Sequence, residues 1–154
     1  MKFLLKNNYS IINKIKSEGK KIVFTNGCFD LLHVGHIKYL SQAKDLGDIL
    51  IIGLNSDKSV KKLKGNNRPI NSFEDRAKLL AALKSVDLVI MFEEQTPENL
   101  IKEIIPDVLV KGGDYDIKEI VGYQTVIDNG GQVKTLSFYE GYSSTNYIDK
   151  INKR

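Results

Sequence analysis

Residues 21–46 read KIVFTNGCFDLLHVGHIKYLSQAKDL, and this stretch decides the fold. Its first five residues, 21–25, form an apolar run that predicts a buried β-strand. Residues 36–46 follow with helical periodicity, which Gly47 ends. The apolar positions of this predicted helix are Ile37, Leu40 and Ala43. The chain therefore passes from strand to helix through a loop that contains both of its histidines.

Strands and helices alternate along the rest of the chain. The further predicted strands, each an almost continuous apolar run, cover residues 49–54, 86–91, 107–110 and 132–136. The further predicted helices cover residues 73–84, a segment that begins at Pro97, residues 117–128 and a last segment after Ser144. Apolar strands separated by helices are typical of parallel sheets covered on both faces. We therefore expect an α/β fold, a doubly wound, Rossmann-like parallel sheet of five strands.

Length and composition are those of a globular domain. With 154 residues, of which 42% are hydrophobic and 27% charged, the chain can bury a sizeable core. We expect residues 1–154 to form a single domain, in which residues 1–18 add an N-terminal helix that contains Ile11, Ile12 and Ile15. The apolar run at the N-terminus is too short for a signal peptide, and no stretch approaches the ~18 apolar residues of a membrane span. A single cysteine, Cys28, excludes an internal disulfide, and these features together predict a cytoplasmic protein that does not span a membrane.

The net charge of +4 and the pI of about 9.0 have two readings. One is a lysine-rich solvated surface, and the other is a surface that attracts anionic ligands. Nucleic acid would be one such ligand, but the sequence has no nucleic-acid motif in which basic and aromatic residues interleave. Small phosphorylated substrates fit the charge equally well.

The loop after the first strand contains His33, Gly35 and His36 at the start of the predicted helix. Side chains three residues apart share a helix face, and the free N–H groups of a first helical turn attract phosphate. A glycine between the histidines lets a ligand approach the backbone, and Gly27 offers the same at the strand end. Structural histidines, or two ligands of a metal, are the alternatives. A zinc site would need a third ligand, so we predict no metal site.

Polar residues also follow two later strands. The second strand precedes polar and basic residues that include Asn55, Asp57, Lys61, Lys62 and Lys64. Two glycines lie within 111–114 after the fourth strand, and hydroxyl residues open the last helix at 143–145. A solvated loop, a turn and helix N-caps would explain these segments without any ligand. Since ligands of parallel sheets bind at the carboxyl ends of the strands, the segments also predict the walls of a phosphate site.

Residues 27–36 resemble the signature of the cytidylyltransferase-like nucleotidyltransferases, which include glycerol-3-phosphate cytidylyltransferase and phosphopantetheine adenylyltransferase. The further segments resemble one branch, the heptose 1-phosphate adenylyltransferases of ADP-heptose synthesis. In many bacteria these are the C-terminal domain of a bifunctional heptose kinase/adenylyltransferase, and for this chain we expect a transferase that stands alone, without the kinase domain. The segment LVKGGDY at 109–115 most favours this branch, and Phe138-Tyr139 replaces the Arg-Thr of the glycerol branch. The resemblance spans residues 20–152. Within this range, the other matching segments are 55–57, 63–65 with 68–69, 92–94 with 96–97, 140–141 and 144–146.

The resemblance implies a transfer of AMP from ATP to a heptose 1-phosphate. The implied catalytic residues are His33, His36 and Lys64. The implied nucleotide-binding residues are Asn26, Gly27, Cys28, Phe29, Asp30, Gly35, Lys111, Gly112, Gly113, Asp114, Ser143, Ser144 and Thr145, of which Asp30 orients a histidine or contacts the ribose. The implied substrate-binding residues are Asn55, Asp57, Lys61 and Lys62. Mg²⁺ enters with ATP, and the relatives imply a homodimer.

Three alternatives remain open at this point. The first is a cytidylyltransferase for glycerol 3-phosphate or another polyol phosphate, because the motifs do not separate ATP from CTP. The second is a nucleotide-binding regulatory domain without turnover. The third, a nucleic-acid binder, is suggested by the pI alone and predicts binding that weakens steeply with salt.

Overall fold

One parallel sheet organises the computed structural model, which describes residues 3–4, 9–137 and 139–153. Its strand order is β1-β4-β3-β2-β5-β6, and every neighbouring pair is parallel. The strands are β1 (Phe3–Leu4), β2 (Ile22–Gly27), β3 (Ile49–Asn55), β4 (Leu88–Phe92), β5 (Val108–Gly112) and β6 (Gln132–Leu136). The α/β class and the five predicted strands are confirmed, and a sixth strand is added.

Helices cover both faces of this sheet, as expected for a doubly wound fold. They are α1 (Ser10–Ser17), α2 (Val34–Lys44), α3 (Asp57–Lys64), α4 (Phe73–Ala82), α5 (Glu98–Ile104), α6 (Tyr123–Asp128) and α7 (Ser144–Asn152). Ile22 and Phe24 of β2 pack on one face with α1, α5 and α6, whereas Val23 packs on the other face with α2 and α4. This alternation explains why β2 reads as a continuous apolar run. None of the helices in the described ranges is long and apolar enough to cross a membrane.

The prediction of a helix over residues 1–18 is wrong for its first part. Phe3 and Leu4 pair with Val89 and Ile90 of β4 and so add a short strand at the edge of the sheet. A two-residue strand satisfies part of a backbone edge that β4 would otherwise expose. The helical periodicity holds only from Ser10, and residues 1, 2 and 5–8 lie outside the described residues.

Two further predictions, one of a helix and one of a loop, need correction. The predicted helix 117–128 is a 3-10 turn at Ile117–Glu119 followed by α6, because Gly122 breaks it with a φ of +91°. A Cβ at Gly122 would also lie 2.6 Å from the Ile101 side chain. The lysine-rich segment after the second predicted strand was expected to be a loop, but it forms α3. Ser56 caps this helix by accepting a hydrogen bond from the Ser59 N–H at 3.1 Å.

The winding of the sheet reverses at β2. The chain runs from β2 outward through β3 and β4, and then returns to place β5 and β6 on the other side of β2. The helix after β2 and the helix after β5 lie on opposite faces of the sheet, and this divergence leaves a crevice at the carboxyl ends of the two strands. The loop that contains both histidines begins at this crevice.

Arg76 of α4 joins the ends of β2 and β3 from inside the protein. The side chain is fully buried, and its Nη1 donates to the carbonyl oxygens of Cys28 at 2.7 Å and Asn55 at 2.9 Å. Its Nε donates to the Asn71 carbonyl at 3.1 Å, and its Nη2 pairs with the Asp57 carboxylate at 2.7 Å. One guanidinium therefore fixes three loops at the same edge of the sheet, using the planar geometry that distinguishes arginine.

We expect Arg76→Met to lower the free energy of unfolding by about 3 kcal/mol, because buried carbonyls lose their donors while the apolar volume is kept. Urea unfolding followed by circular dichroism measures this loss. The matched control is Asp57→Asn, which removes the charge of the half-exposed partner but keeps an oxygen acceptor, and it should cost about 1 kcal/mol or less. Equal losses for the two variants would contradict a role for the buried bonds.

Candidate active site

A cavity of about 720 Å³ opens at the crevice between β2 and β5, a volume typical of small-molecule sites. The structure brings most of the predicted site residues together around it. They are Asn26, Gly27, Cys28, Phe29, Asp30, His33, Gly35, His36, Asn55, Lys64, Lys111, Gly112, Ser143, Ser144 and Thr145. The loops after β2, β3 and β5 and the start of α7 therefore meet at one place.

The two histidines stack at the start of α2. His33 is the N-cap residue in extended conformation, and its Nδ1 accepts a hydrogen bond from the His36 N–H at 3.3 Å. The ring centroids lie 3.8 Å apart with an interplanar angle of 20°, and Phe29 packs against His36 with centroids 5.2 Å apart. Because the Nδ1 of His33 is an acceptor, the neutral ring carries its proton on Nε2 and can donate it to a ligand.

Both histidines are neutral at pH 7. Burial, with a smaller effect of the neighbouring His33, lowers the pKa of His36 to about 4, and burial also lowers the pKa of His33. The Nδ1 atom of His36 is buried and has no hydrogen-bond partner in the described part of the protein. A buried polar atom without a partner is costly. The stacked pair therefore holds hydrogen-bonding capacity that the protein itself leaves unused.

Gly27 and Gly35 make room for the protein's own side chains. A Cβ at Gly27 would lie 2.9 Å from the Phe29 ring, and one at Gly35 would lie 3.0 Å from both His33 Nδ1 and Tyr142 Cβ. The two glycines thus permit the close packing of Phe29, His33 and Tyr142 that shapes the wall of the cavity. Both also line the cavity, so the expectation that they let a ligand approach the backbone stays a prediction.

Asp30 anchors the loop that follows α3. Its buried carboxylate accepts hydrogen bonds from Arg68 Nε at 2.5 Å and from the N–H groups of Ile70 and Asn71 at 2.9 Å. Burial alone would raise the pKa of Asp30, but these hydrogen bonds and the Arg68 charge hold it below its ordinary value. The prediction that Asp30 orients a histidine is wrong, since its carboxylate positions the loop that contains Arg68.

Three cationic side chains line the cavity, and they are Lys64, Arg68 and Lys111. Burial lowers the pKa of Lys111, although nearby Cys28 opposes this effect. No hydrogen bond or ion pair of the Lys111 ammonium is found within residues 9–137 or 139–153. Burial raises the pKa of Cys28, so the residue remains a thiol. Lys111 thus offers a partly buried positive charge at the end of β5.

Five predicted site residues do not line the cavity, and they are Asp57, Lys61, Lys62, Gly113 and Asp114. Asp57 pairs with Arg76, and the two lysines lie exposed on α3. The Gly113 N–H donates to the Leu136 carbonyl at 2.8 Å, so this residue extends the pairing of β5 with β6. Asn55 does line the cavity, and its Nδ2 donates to Ser59 Oγ at 2.9 Å.

The N-terminus of α7 forms the wall of the cavity beside the histidines. Ser143 caps the helix by accepting from the Asn146 N–H at 3.0 Å, and Ser144 Oγ donates to the Leu31 carbonyl at 2.9 Å. Tyr142 and Tyr147 stack on His33 with centroid distances of 6.1 and 5.9 Å. These contacts connect α7 to the histidine loop, and Thr145 completes this side of the wall.

Several cavity residues were not predicted as site residues, although the segments 63–69, 92–97 and 109–115 that carry the resemblance contain some of them. They are Tyr39, Leu63, Arg68, Gln95, Thr96, Pro97, Leu109, Tyr115, Glu119, Ile120, Val121, Ser137, Tyr139 and Tyr142. Arg76 was also missed, although it lies four residues before the buried Leu80 on the inner face of α4. A charged residue on an apolar helix face indicates a buried, paired side chain. No group of three or more His, Cys, Asp or Glu that could hold a metal is found among the described residues.

Comparison with curated proteins gives relatives that extend well beyond this chain. Proteins called bifunctional protein HldE are 55% identical in Hydrogenovibrio crunogenus, over 94% of this chain, and 60% identical in Haemophilus ducreyi, over 88% of it. One from Aliarcobacter butzleri is 59% identical over 91% of this chain. The chain spans only about three tenths of the length of these relatives, between 29% and 30%.

Comparison with solved structures and with protein families agrees with the fold. A lipopolysaccharide core biosynthesis protein from Thermoplasma volcanium is 31% identical with a TM-score of 0.65, covering 81% of this chain and 100% of its own. A pantoate-beta-alanine ligase from Francisella tularensis, 16% identical with a TM-score of 0.60 over 98% of this chain and 77% of its own, shares the fold. Residues 24–150 match the cytidylyltransferase-like family. The chain therefore belongs to the cytidylyltransferase-like family.

Proposed function

We propose that this chain transfers AMP from ATP to a heptose 1-phosphate, which releases pyrophosphate and forms ADP-heptose. The observation that carries the proposal is the stacked pair of neutral histidines at the start of α2, which faces a cavity lined by Lys64, Arg68 and Lys111. The identity of 54% to 60% with the bifunctional relatives supports the heptose branch over the glycerol branch.

The reaction itself needs little acid–base chemistry. A phosphate oxygen of the sugar 1-phosphate attacks the α-phosphorus of ATP, and a new P–O bond forms. The bond between the α-phosphorus and the bridging oxygen breaks, and that oxygen leaves with pyrophosphate. The nucleophile is already anionic at neutral pH, so the protein must mainly hold two anions together and stabilise the charge that develops.

His33 and His36 are suited to this stabilisation because they are neutral donors in a partly buried place. The Nε2–H of His33 and the single N–H of the neutral His36 ring donate to oxygens of the α- and β-phosphates. The N-terminus of α2 adds its free N–H groups and the positive end of its dipole. Ser143, Ser144 and Thr145 at the start of α7 hold the outer phosphates in the same way.

The cations divide between the two substrates. Lys64, at the end of α3, draws in the sugar phosphate together with Arg68, whose position Asp30 fixes. Lys111 lies at the end of β5, beside Gly112, and neutralises phosphate charge near the attacked phosphorus. Lys61 and Lys62 are exposed outside the cavity and attract anionic substrates from a distance.

Mg²⁺ enters with ATP, since this ion is commonly held by the phosphates of its substrate. The remaining parts of the proposal are a single transferase domain over residues 1–154, a homodimer and a cytoplasmic location. The resemblance to the heptose branch supports them, and the exposed Ile11 of α1 offers apolar surface for the dimer. ATP and a sugar 1-phosphate are the proposed partners of the site, with neither nucleic acid nor membrane.

Pyrophosphate release tests the proposed reaction directly. We expect release with MgATP and heptose 1-phosphate, and none when Mg²⁺ is omitted. Parallel reactions pair ATP or CTP with heptose 1-phosphate or glycerol 3-phosphate. Release with CTP and glycerol 3-phosphate alone would move the protein to the cytidylyltransferase branch. Nucleotide binding without release from any pair would indicate a regulatory domain.

We expect His36→Ala to lower kcat by about 10²- to 10³-fold, because one donor to the transition state is lost. Circular dichroism should show an intact fold, since no hydrogen bond of the His36 ring to the rest of the protein is found among the described residues. Ile37→Ala is the matched control on the same turn, where the side chain is half exposed and outside the cavity. Normal turnover of the His36 variant would remove the central assignment.

Proton NMR of the histidine Cε1–H signals tests the neutral state of the pair. We expect His36 to titrate with a pKa of about 4 and His33 to titrate below its ordinary value. Between that pKa and the unfolded value of about 6.5, the folded protein binds fewer protons than the unfolded chain. The free energy of unfolding should therefore fall as the pH falls through this window, and less so in His36→Asn. A His36 pKa near 6.5 would contradict the buried environment.

A further inference from the structure

Strands β2 and β5 separate before they reach the cavity. Their register holds only for Val23 with Val108 and for Phe24 with Leu109. The neighbouring pairs β2–β3 and β5–β6 stay in register to Gly27 and Gly112. The last three residues of each strand, 25–27 and 110–112, therefore diverge, and the cavity lies in the gap between them.

The Tyr39 hydroxyl occupies the first position of this gap. It lies 2.7 Å from Thr25 Oγ1 and donates to the Val110 carbonyl oxygen at 3.4 Å. Thr25 and Val110 are the first residues beyond the last registered pair. Since the phenol has one proton and gives it to Val110, the Thr25 hydroxyl donates to the phenol oxygen. The side chain of Tyr39 thus takes the place of the next backbone hydrogen bond of the sheet.

Tyr39 also belongs to the helix that presents the histidines. It lies three residues after His36 in α2, one turn away on the same side of the helix. Burial, opposed in part by the hydrogen bond from Thr25, raises the pKa of Tyr39 to about 12. The hydroxyl therefore remains a donor throughout the working pH range. Its bonds connect α2 to the end of β2 and to the end of β5 at one point.

We propose that Tyr39 is a positioning residue that sets the width of the cleft between β2 and β5 and so fixes His36 relative to Lys111. The inference rests on the proposed function, because it assigns the two positioned groups to one transition state. Tyr39 acts through α2 and β5 and needs no bond of its own to the substrates. A displacement of about 1 Å between groups that act together can cost about 10² in rate.

Tyr39→Phe tests this role because it keeps the ring and removes only the hydroxyl. We expect kcat to fall by about 10- to 100-fold while Kd for ATP changes by less than about threefold, since transition-state contacts suffer more than ground-state binding. Thr25→Val removes the other hydroxyl and should lower kcat in the same direction. In the double variant the two losses should not add, since both variants break the same bridge.

Ile101→Val is the control for a purely structural role. Ile101 is buried on the opposite face of the sheet, so its trimming lowers Tm without touching the cleft. Two results would overturn the proposal. One is a kcat of Tyr39→Phe within twofold of that of the parent protein. The other is an equal drop in kcat in Ile101→Val when the two variants lose the same amount of Tm.

A second measurement separates this proposal from the proposed function. If the parent protein releases no pyrophosphate, the proposed function fails, and amide hydrogen exchange of the ligand-free protein decides the role of Tyr39. Faster exchange over residues 25–27 and 110–112 in Tyr39→Phe, but not in Ile101→Val, supports a cleft held by the hydroxyl. Unchanged exchange over these residues would overturn it.

Discussion

The reversal of strand order at β2 is the constraint on which the rest of the structure depends. Because β3 and β4 lie on one side of β2, and β5 and β6 lie on the other, the loops that leave β2 and β5 lead to helices on opposite faces of the sheet. The crevice follows from this topology and needs no particular side chain. What the side chains decide is how wide the crevice is and which charges line it. Because β2 and β5 are paired at only two positions, the crevice extends into the sheet.

Electrostatics at the crevice follow from partial burial. The histidines are neutral and Lys111 is more easily deprotonated than a solvated lysine, because each is partly removed from water. The site thus offers donors and positive charge without the strong hydration that would have to be displaced when a polyphosphate binds. The partly buried site also has a low local polarity, which strengthens each hydrogen bond formed with the ligand. Partial burial therefore disfavours the charged forms of these side chains in the free protein, and it strengthens the contacts that they make with a bound anion.

The sequence predicts those features that short-range patterns determine. Apolar runs predicted β2 to β6, and the spacing of His33 and His36 directed attention to the start of α2, which lines the cavity. Longer-range features were missed for physical reasons. A two-residue strand such as β1 has no period to detect, and nothing in the sequence shows that the space beside Gly27 and Gly35 is filled by Phe29 and Tyr142. The roles of Asp30 and Arg76 depend on partners about 20 to 50 residues away.

Buried polar groups in this protein divide into two classes, and the division separates framework from binding site. Asp30, Arg76 and Tyr39 have their hydrogen-bonding groups paired within the protein, and each joins segments that are far apart in the chain. By contrast, the Nδ1 of His36 is buried and has no partner among the residues that the structure describes. Folded proteins pair almost all of their buried polar groups. An unpaired one is retained at a cost in stability, and a ligand that supplies the missing bonds recovers this cost as binding energy. The residues that stabilise the cavity and those that await a ligand can therefore be distinguished by whether their hydrogen bonds are already made.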